Sequence, residues 1–135
     1  VFPEIEGTAA FDEVAATLDV IERLQPLLVL PGHGSAFSDV GSALHTARQR
    51  LERFVQSPER HALYAAKVLL KYKLLEWQQL PLAQVQAWLA ATPYYGLLHQ
   101  RYFADQDLAQ WHASLVADLE RSGAARREGA LLVNQ

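Results

Sequence analysis

The sequence predicts a mainly α-helical chain with a little β structure, divided near residue 57. Three observations lead there. Apolar residues recur at helical spacing in several separate segments, each expected to bury one face. One short apolar run, Leu27-Leu28-Val29-Leu30, stops at Pro31 and is followed by Gly32-His33-Gly34, the pattern of a buried strand ending in a sharp turn. Close to the end, two short segments flank Glu128-Gly129, a hairpin signal.

Taken in order, Val1-Phe2-Pro3 reads as the tail of an extended segment. Phe11, Val14, Ala15, Leu18, Ile21 and Leu24 then share one helix face. Thr8 is the expected N-cap, Asp12 and Glu13 favour the positive end of the helix dipole, and Pro26 stops the helix. The strand 27–30 and the glycine loop 31–37 follow. Ser38 or Asp39 can cap a second long helix, whose buried face reads Val40, Ala43, Leu44, Ala47, Leu51, Phe54 and Val55 until Ser57-Pro58 ends it.

From residue 58 the pattern changes to shorter helices. Residues 61–75 are periodic through Leu63, Ala66, Leu70 and Leu74. Pro81 suits a first helical turn, and Leu82, Val85, Trp88 and Leu89 give a face to 81–91. Thr92-Pro93 breaks that helix, and a short one is expected near 94–103. Asp105 or Gln106 begins the last, with Leu108, Trp111, Leu115 and Leu119 inward and Gly123 as its stop. The hairpin pairs 124–127 with 131–134. Helices followed by a hairpin describe a winged-helix-like unit.

Composition narrows the function classes. The chain has 135 residues, 50% hydrophobic and 20% charged, with a formal net charge of -3 and a pI of about 5.9. That balance gives no overall electrostatic case for nucleic acid or an anionic membrane. With no cysteine, any metal site must use His, Asp and Glu, and a reducing, cytoplasmic location fits. No apolar run approaches the roughly 18 residues of a membrane helix, and no signal-peptide pattern is seen. The chain holds no methionine, even at position 1, which suggests a piece of a longer or processed protein.

These residues resemble the C-terminal end of a metallo-β-lactamase-fold hydrolase that carries an appended winged-helix-like domain. The resemblance rests on Asp19-Val20-Ile21-Glu22-Arg23-Leu24, on Leu28-Val29-Leu30-Pro31-Gly32-His33-Gly34, and on Arg50 and Arg53 of the next helix. Trp111-His112 through Leu115 and Leu119 to Gly123-Ala124-Ala125-Arg126-Arg127 is similar to that domain's last helix and wing. It implies that 1–57 completes the metallo-β-lactamase-like core and that 58–135 forms the appended domain. It also implies that His33 is a late ligand of a dinuclear zinc site. The family's His-x-His-x-Asp-His motif, its next histidine and its bridging aspartate would lie upstream of Val1. Gln49 stands where many relatives have a histidine. The parent reaction implied is hydrolysis by metal-bound hydroxide of an ester, thioester, lactone, β-lactam or phosphodiester. A catalytic zinc takes about three protein ligands, so this chain alone is expected to hold no zinc and to be inactive, with no catalytic residue of its own.

Other readings of the same residues compete. His45, His61, His99 and His112 are scattered over different helices and read as surface or boundary residues. Ser35 and Ser38 lack a Gly-x-Ser-x-Gly elbow and a base, so capping explains them better. Gly32 to Ser35 lack the lysine of a phosphate loop. Arg48, Arg50 and Arg53 could reach a substrate anion, but such a run is more often a solvated helix face. Tyr94-Tyr95 and Tyr102-Phe103 read as core packing, with a substrate-facing rim as the alternative. A non-catalytic winged-helix module, for dimerisation or nucleic acid, is the other function class. Asp105, Asp107, Asp118 and Glu120 on the would-be reading helix disfavour nucleic acid, and only Arg126-Arg127 in the wing favour it. A homodimer is left open.

Overall fold

The computed structural model describes residues 3–7 and 9–135. The expected cap Thr8 and the expected extended residues Val1-Phe2 lie outside them. Pro3 does not continue an extended segment: it opens a four-residue helix, α1 (Pro3–Glu6), where its fixed φ suits a first turn. The chain divides into two compact units, Val1–Pro58 and Glu59–Gln135.

In the first unit, α2 (Ala9–Leu24) and α3 (Val40–Gln56) pack together. Both lie where the apolar spacing puts them. Asp39 provides the N-cap of α3, accepting from the Ser42 N–H at 3.1 Å. Ala10, Phe11 and Leu44 are the buried apolar residues described for this unit outside α1, so its core is small. Arg48 of α3 ties the pair from the outside, donating to Asp19 Oδ1 at 2.8 Å and Glu22 Oε2 at 2.6 Å on α2. These two carboxylates hold the guanidinium pKa above its ordinary value, Asp19 contributing most.

The segment 27–30 departs from expectation. It is not a buried strand: Leu27 is 90% exposed and Leu30 77%. Among the described residues its ladder is a single antiparallel bridge, with the Val29 N–H donating to Phe37 O at 2.9 Å and the Phe37 N–H to Val29 O at 3.1 Å. The run has the composition of a strand covered on both faces, but one bridge cannot cover either face.

The second unit begins in α4 (Pro58–Trp77), which extends past both ends of the expected 61–75. Pro58 therefore starts a helix as well as following one, and Ser57 is the C-cap of α3. Next come β1 (Gln79–Pro81), α5 (Leu82–Ala91), α6 (Pro93–Tyr102) and α7 (Leu108–Arg121). Pro81 closes β1 and precedes α5, rather than lying in the helix's first turn. In β1 it needs no ladder N–H because β1 is an edge strand. Pro93, by contrast, does occupy the first turn of α6. Asp107, not Asp105 or Gln106, caps α7 by accepting from the Gln110 N–H at 3.0 Å. Gly123, at φ +73, supplies the left-handed turn out of α7.

The hairpin forms as β2 (Ala125–Glu128) and β3 (Leu131–Asn134), and β1 adds to it in the order β1-β3-β2, all antiparallel. Leu80 pairs with Leu132, and Ala125 with Asn134. The β1 pairing is held at its root by Gln78, whose carbonyl accepts from the Asn134 N–H at 2.7 Å. Behind the sheet and between the helices lies the main core, which includes Leu70, Leu74, Val85, Leu89, Leu98, Leu115 and Leu132, each at most 1% exposed.

Lys71 of α4 joins three distant pieces of this unit. Its Nζ donates to Ala124 O at 2.7 Å, Asn134 Oδ1 at 2.5 Å and Gln135 O at 2.6 Å. Three N–H donors meet three oxygen acceptors, so the Lys71 ammonium is fully hydrogen-bonded. No helix among the described residues is long and apolar enough to cross a membrane.

Leu70 is 1% exposed at the middle of α4. Leu70→Ala should therefore destabilise the second unit by about 2–5 kcal/mol. Urea unfolding followed by tryptophan fluorescence measures this, and a change below about 1 kcal/mol would mean that the site collapses around the missing methyl groups.

Candidate metal-ligand loop and its surroundings

The backbone around His33 is built as the glycine pattern suggests. The Val29–Phe37 bridge closes a turn over 30–36, and Gly34 adopts φ +91, a conformation that disfavours any side chain. His33 is exposed at the tip, flanked by exposed Gly32 and Gly34. That presentation suits a ligand. The ligand set does not: among the described residues no group of three or more His, Cys, Asp or Glu side chains could hold a metal ion. The residues described do not by themselves fit a zinc site, and no chemistry can be derived through one from His33 alone.

Several polar residues of α2 and α3 bond one another. Arg48 is committed to Asp19 and Glu22. Arg53 Nε donates to Gln49 O at 3.1 Å within its own helix, and Arg50 is exposed on the same helix. His45 Nε2 lies 2.9 Å from Gln49 Nε2. The Ser38 carbonyl accepts from the Val40 N–H at 2.9 Å, at the start of α3. Among the described residues, no bond shown here activates Ser35 or Ser38 as a nucleophile.

In the second unit the aromatic group is core. Tyr95 is 0% exposed, Phe103 3% and Trp111 1%. Phe103 stacks on Trp111 with ring centroids 5.1 Å apart, and Tyr95 meets Trp88 edge-on at 5.5 Å. The Tyr95 hydroxyl donates to Ala66 O at 3.2 Å, and burial pushes its pKa up, the neighbouring Tyr94 adding to the shift. Tyr94 and Tyr102 are half-buried against the same core.

Two of the histidines expected at the surface or a boundary are buried instead: His61 at 5% and His112 at 2% exposure. The apolar period alone could have placed His112 inside, since it adjoins Trp111 and lies three residues before Leu115. Its Nε2, like Trp111 Nε1, makes no hydrogen bond to a described residue. His99, by contrast, brings its Nε2 to 2.9 Å from Gln106 O.

The arginines at the end of α7 and in the wing are paired. Arg126 bonds Glu128, Arg121 bonds Asp118, and Arg127 bonds Glu120 through Nε at 2.8 Å and Nη2 at 3.1 Å. Glu120 raises the Arg127 pKa, its hydrogen bond contributing most. No family model, curated protein or solved structure matches the chain.

Two outcomes follow. Zinc titration of the chain by calorimetry should show no stoichiometric high-affinity binding, and a tight one-to-one isotherm would mean that ligands other than His33 converge. The second concerns His112. Burial lowers its pKa, with nearby His99 acting in the same direction. The unfolded chain therefore binds more protons in mild acid. The stability due to neutral His112 is present above the unfolded pKa of about 6.5 and is lost as pH falls through the lower folded value. Denaturant midpoints should fall from about pH 7.5 to about pH 5, by no more than about 1.4 kcal/mol per pH unit for one group. His112→Phe should flatten that slope, and an unchanged slope would assign it to other groups.

Proposed function

We propose that this chain is the C-terminal part of a metal-dependent hydrolase of the metallo-β-lactamase superfamily, in which His33 is one metal ligand. The observation that carries this reading is the loop itself. A glycine-flanked histidine is presented, exposed, at the end of an apolar run whose leucines are equally exposed. A run of that composition belongs inside a sheet, and a lone histidine at its end belongs to a site completed by other segments. Zinc is the metal this family resemblance implies, and an ester, thioester or phosphodiester is the substrate class.

In this reading the second unit is the winged-helix-like domain. Its element order supports that: a helix, a strand, three helices and a hairpin, with the first strand joining the hairpin in the order β1-β3-β2. A nucleic-acid-binding role has less support. A nucleic-acid interface needs free cations to neutralise phosphates, and Arg121 of α7 and Arg126 and Arg127 of the wing are each held by a carboxylate of the same unit.

The reading frame preceding Val1 tests the proposal directly. It should encode His-x-His-x-Asp-His within about 100–150 residues upstream, a single-domain length. In the longer protein, His33→Ala should lower bound zinc and hydrolysis together. A frame that opens immediately before Val1, or a His33→Ala protein with full metal content, overturns the assignment.

A further inference from the structure

The second unit carries a groove of about 570 Å³ between one face of α4 and the corner joining α7 to β2. That volume lies within the roughly 300–1,000 Å³ of small-molecule sites. Tyr64, Val68, Tyr72 and Leu75 line it from α4, and Leu119 and Ala124 line it opposite. Spacings of four, eight and eleven residues place the α4 group on one stripe of the helix. Tyr72 is 64% exposed and Leu75 44%, so the stripe faces open space in this unit's own surface.

The charges in this groove are asymmetric. Lys67, Lys71 and Asp118 are its charged lining residues, two cations against one anion, and Asp118 is also bonded by Arg121. Lys71 has no donor to spare, because three oxygens take all three. Lys67 differs. Its Nζ reaches Asp118 Oδ2 at 3.2 Å, and it makes no other bond to a described residue that uses its remaining donors. Its side chain is 31% exposed.

The geometry points to a binding site for a free aliphatic carboxylate, its anion on Lys67 Nζ and its alkyl chain along Val68, Leu75 and Leu119. Lys67 and Arg121 share the single carboxylate of Asp118, so two cations face one anion there and a monoanion restores the balance. From Lys67 to Leu75 the helix advances about 12 Å at about 1.5 Å per residue, room for a medium-length chain. The site lies wholly within the second unit and does not depend on the role of His33.

Calorimetric titration of the full chain with dodecanoate, kept below its micellar concentration, tests this. The expected result is one-to-one binding that Lys67→Met weakens at least tenfold and Lys67→Arg largely retains. Dodecanol, with the same tail and no charge, should bind at least tenfold more weakly, as should butyrate, which has the charge without the tail. Val68→Glu, which places a carboxylate in the groove at a half-buried position outside the core, should abolish binding while circular dichroism stays native. Absence of binding at about 1 mM dodecanoate (a dissociation constant weaker than about -4.1 kcal/mol of binding) overturns the proposal. So does equal binding of dodecanoate and dodecanol, or binding indifferent to both Lys67→Met and Val68→Glu. Sedimentation that shows dimers dissociated by Val68→Glu would seat a second copy in the groove and overturn it as well.

Discussion

Tyr95 must be both fully buried and hydrogen-bonded, and the second unit is organised around that requirement. A phenol with no solvent access needs a partner for its hydroxyl, because an unpaired buried polar group costs about 1–3 kcal/mol. The α4 backbone provides it, through Ala66 O at 3.2 Å. Accepting this bond brings α6 against α4 at a position where alanine, 0% exposed, leaves room for the ring. The ring in turn meets Trp88 of α5 at 5.5 Å, and Trp111 and His112 of α7 at 6.3 and 6.1 Å. One side chain thus fixes contacts with three helices, and the leucines fill the space those contacts define.

The sheet depends on the same frame. Lys71, one turn beyond Ala66 and on the flank of the buried stripe, reaches both the segment entering β2 and the end of β3. Its three bonds set where the hairpin lies against α4. β1 can then pair with β3 because it leaves α4 at Gln78, a non-glycine residue at φ +62 held by its bond from Asn134. The strain of that left-handed residue is tolerated because hydrogen bonds on both sides over-determine it. Among its described residues the first unit shows no comparable centre. Its helices share a thin apolar contact and an external Arg48 bridge, and its apolar 27–30 run has one bridge for support.

Much of the helical plan was legible because its signals are local. The spacing of Phe11 to Leu24 and of Val40 to Val55, the cap at Asp39 and the stop at Gly123 all act within a few residues of the structure they specify. Prolines were only half legible. Pro58 and Pro81 marked boundaries, but a proline permits a first helical turn and an edge strand alike. Which one forms depends on the β3 strand, whose Leu131 pairs with Pro81 far away in sequence. The exposed 27–30 run shows the opposite failure. Its composition describes the environment it suits, and composition cannot supply the neighbouring strands.

The candidate site divides in the same way. The sequence by itself determined the glycine-flanked turn that presents His33, because Gly34 and the proline before the turn act on their own backbone. It also determined most helices and the terminal hairpin. Only the tertiary structure decided that β1 joins that hairpin, that His61 and His112 are buried, that Arg48 is spent on Asp19 and Glu22, and that Lys71 is saturated while Lys67 is not. Each of those outcomes depends on partners distant in the chain, as with Lys71 and Asn134, 63 residues apart. Periodicity reports which face of an element is apolar, and only the folded chain reports what that face meets.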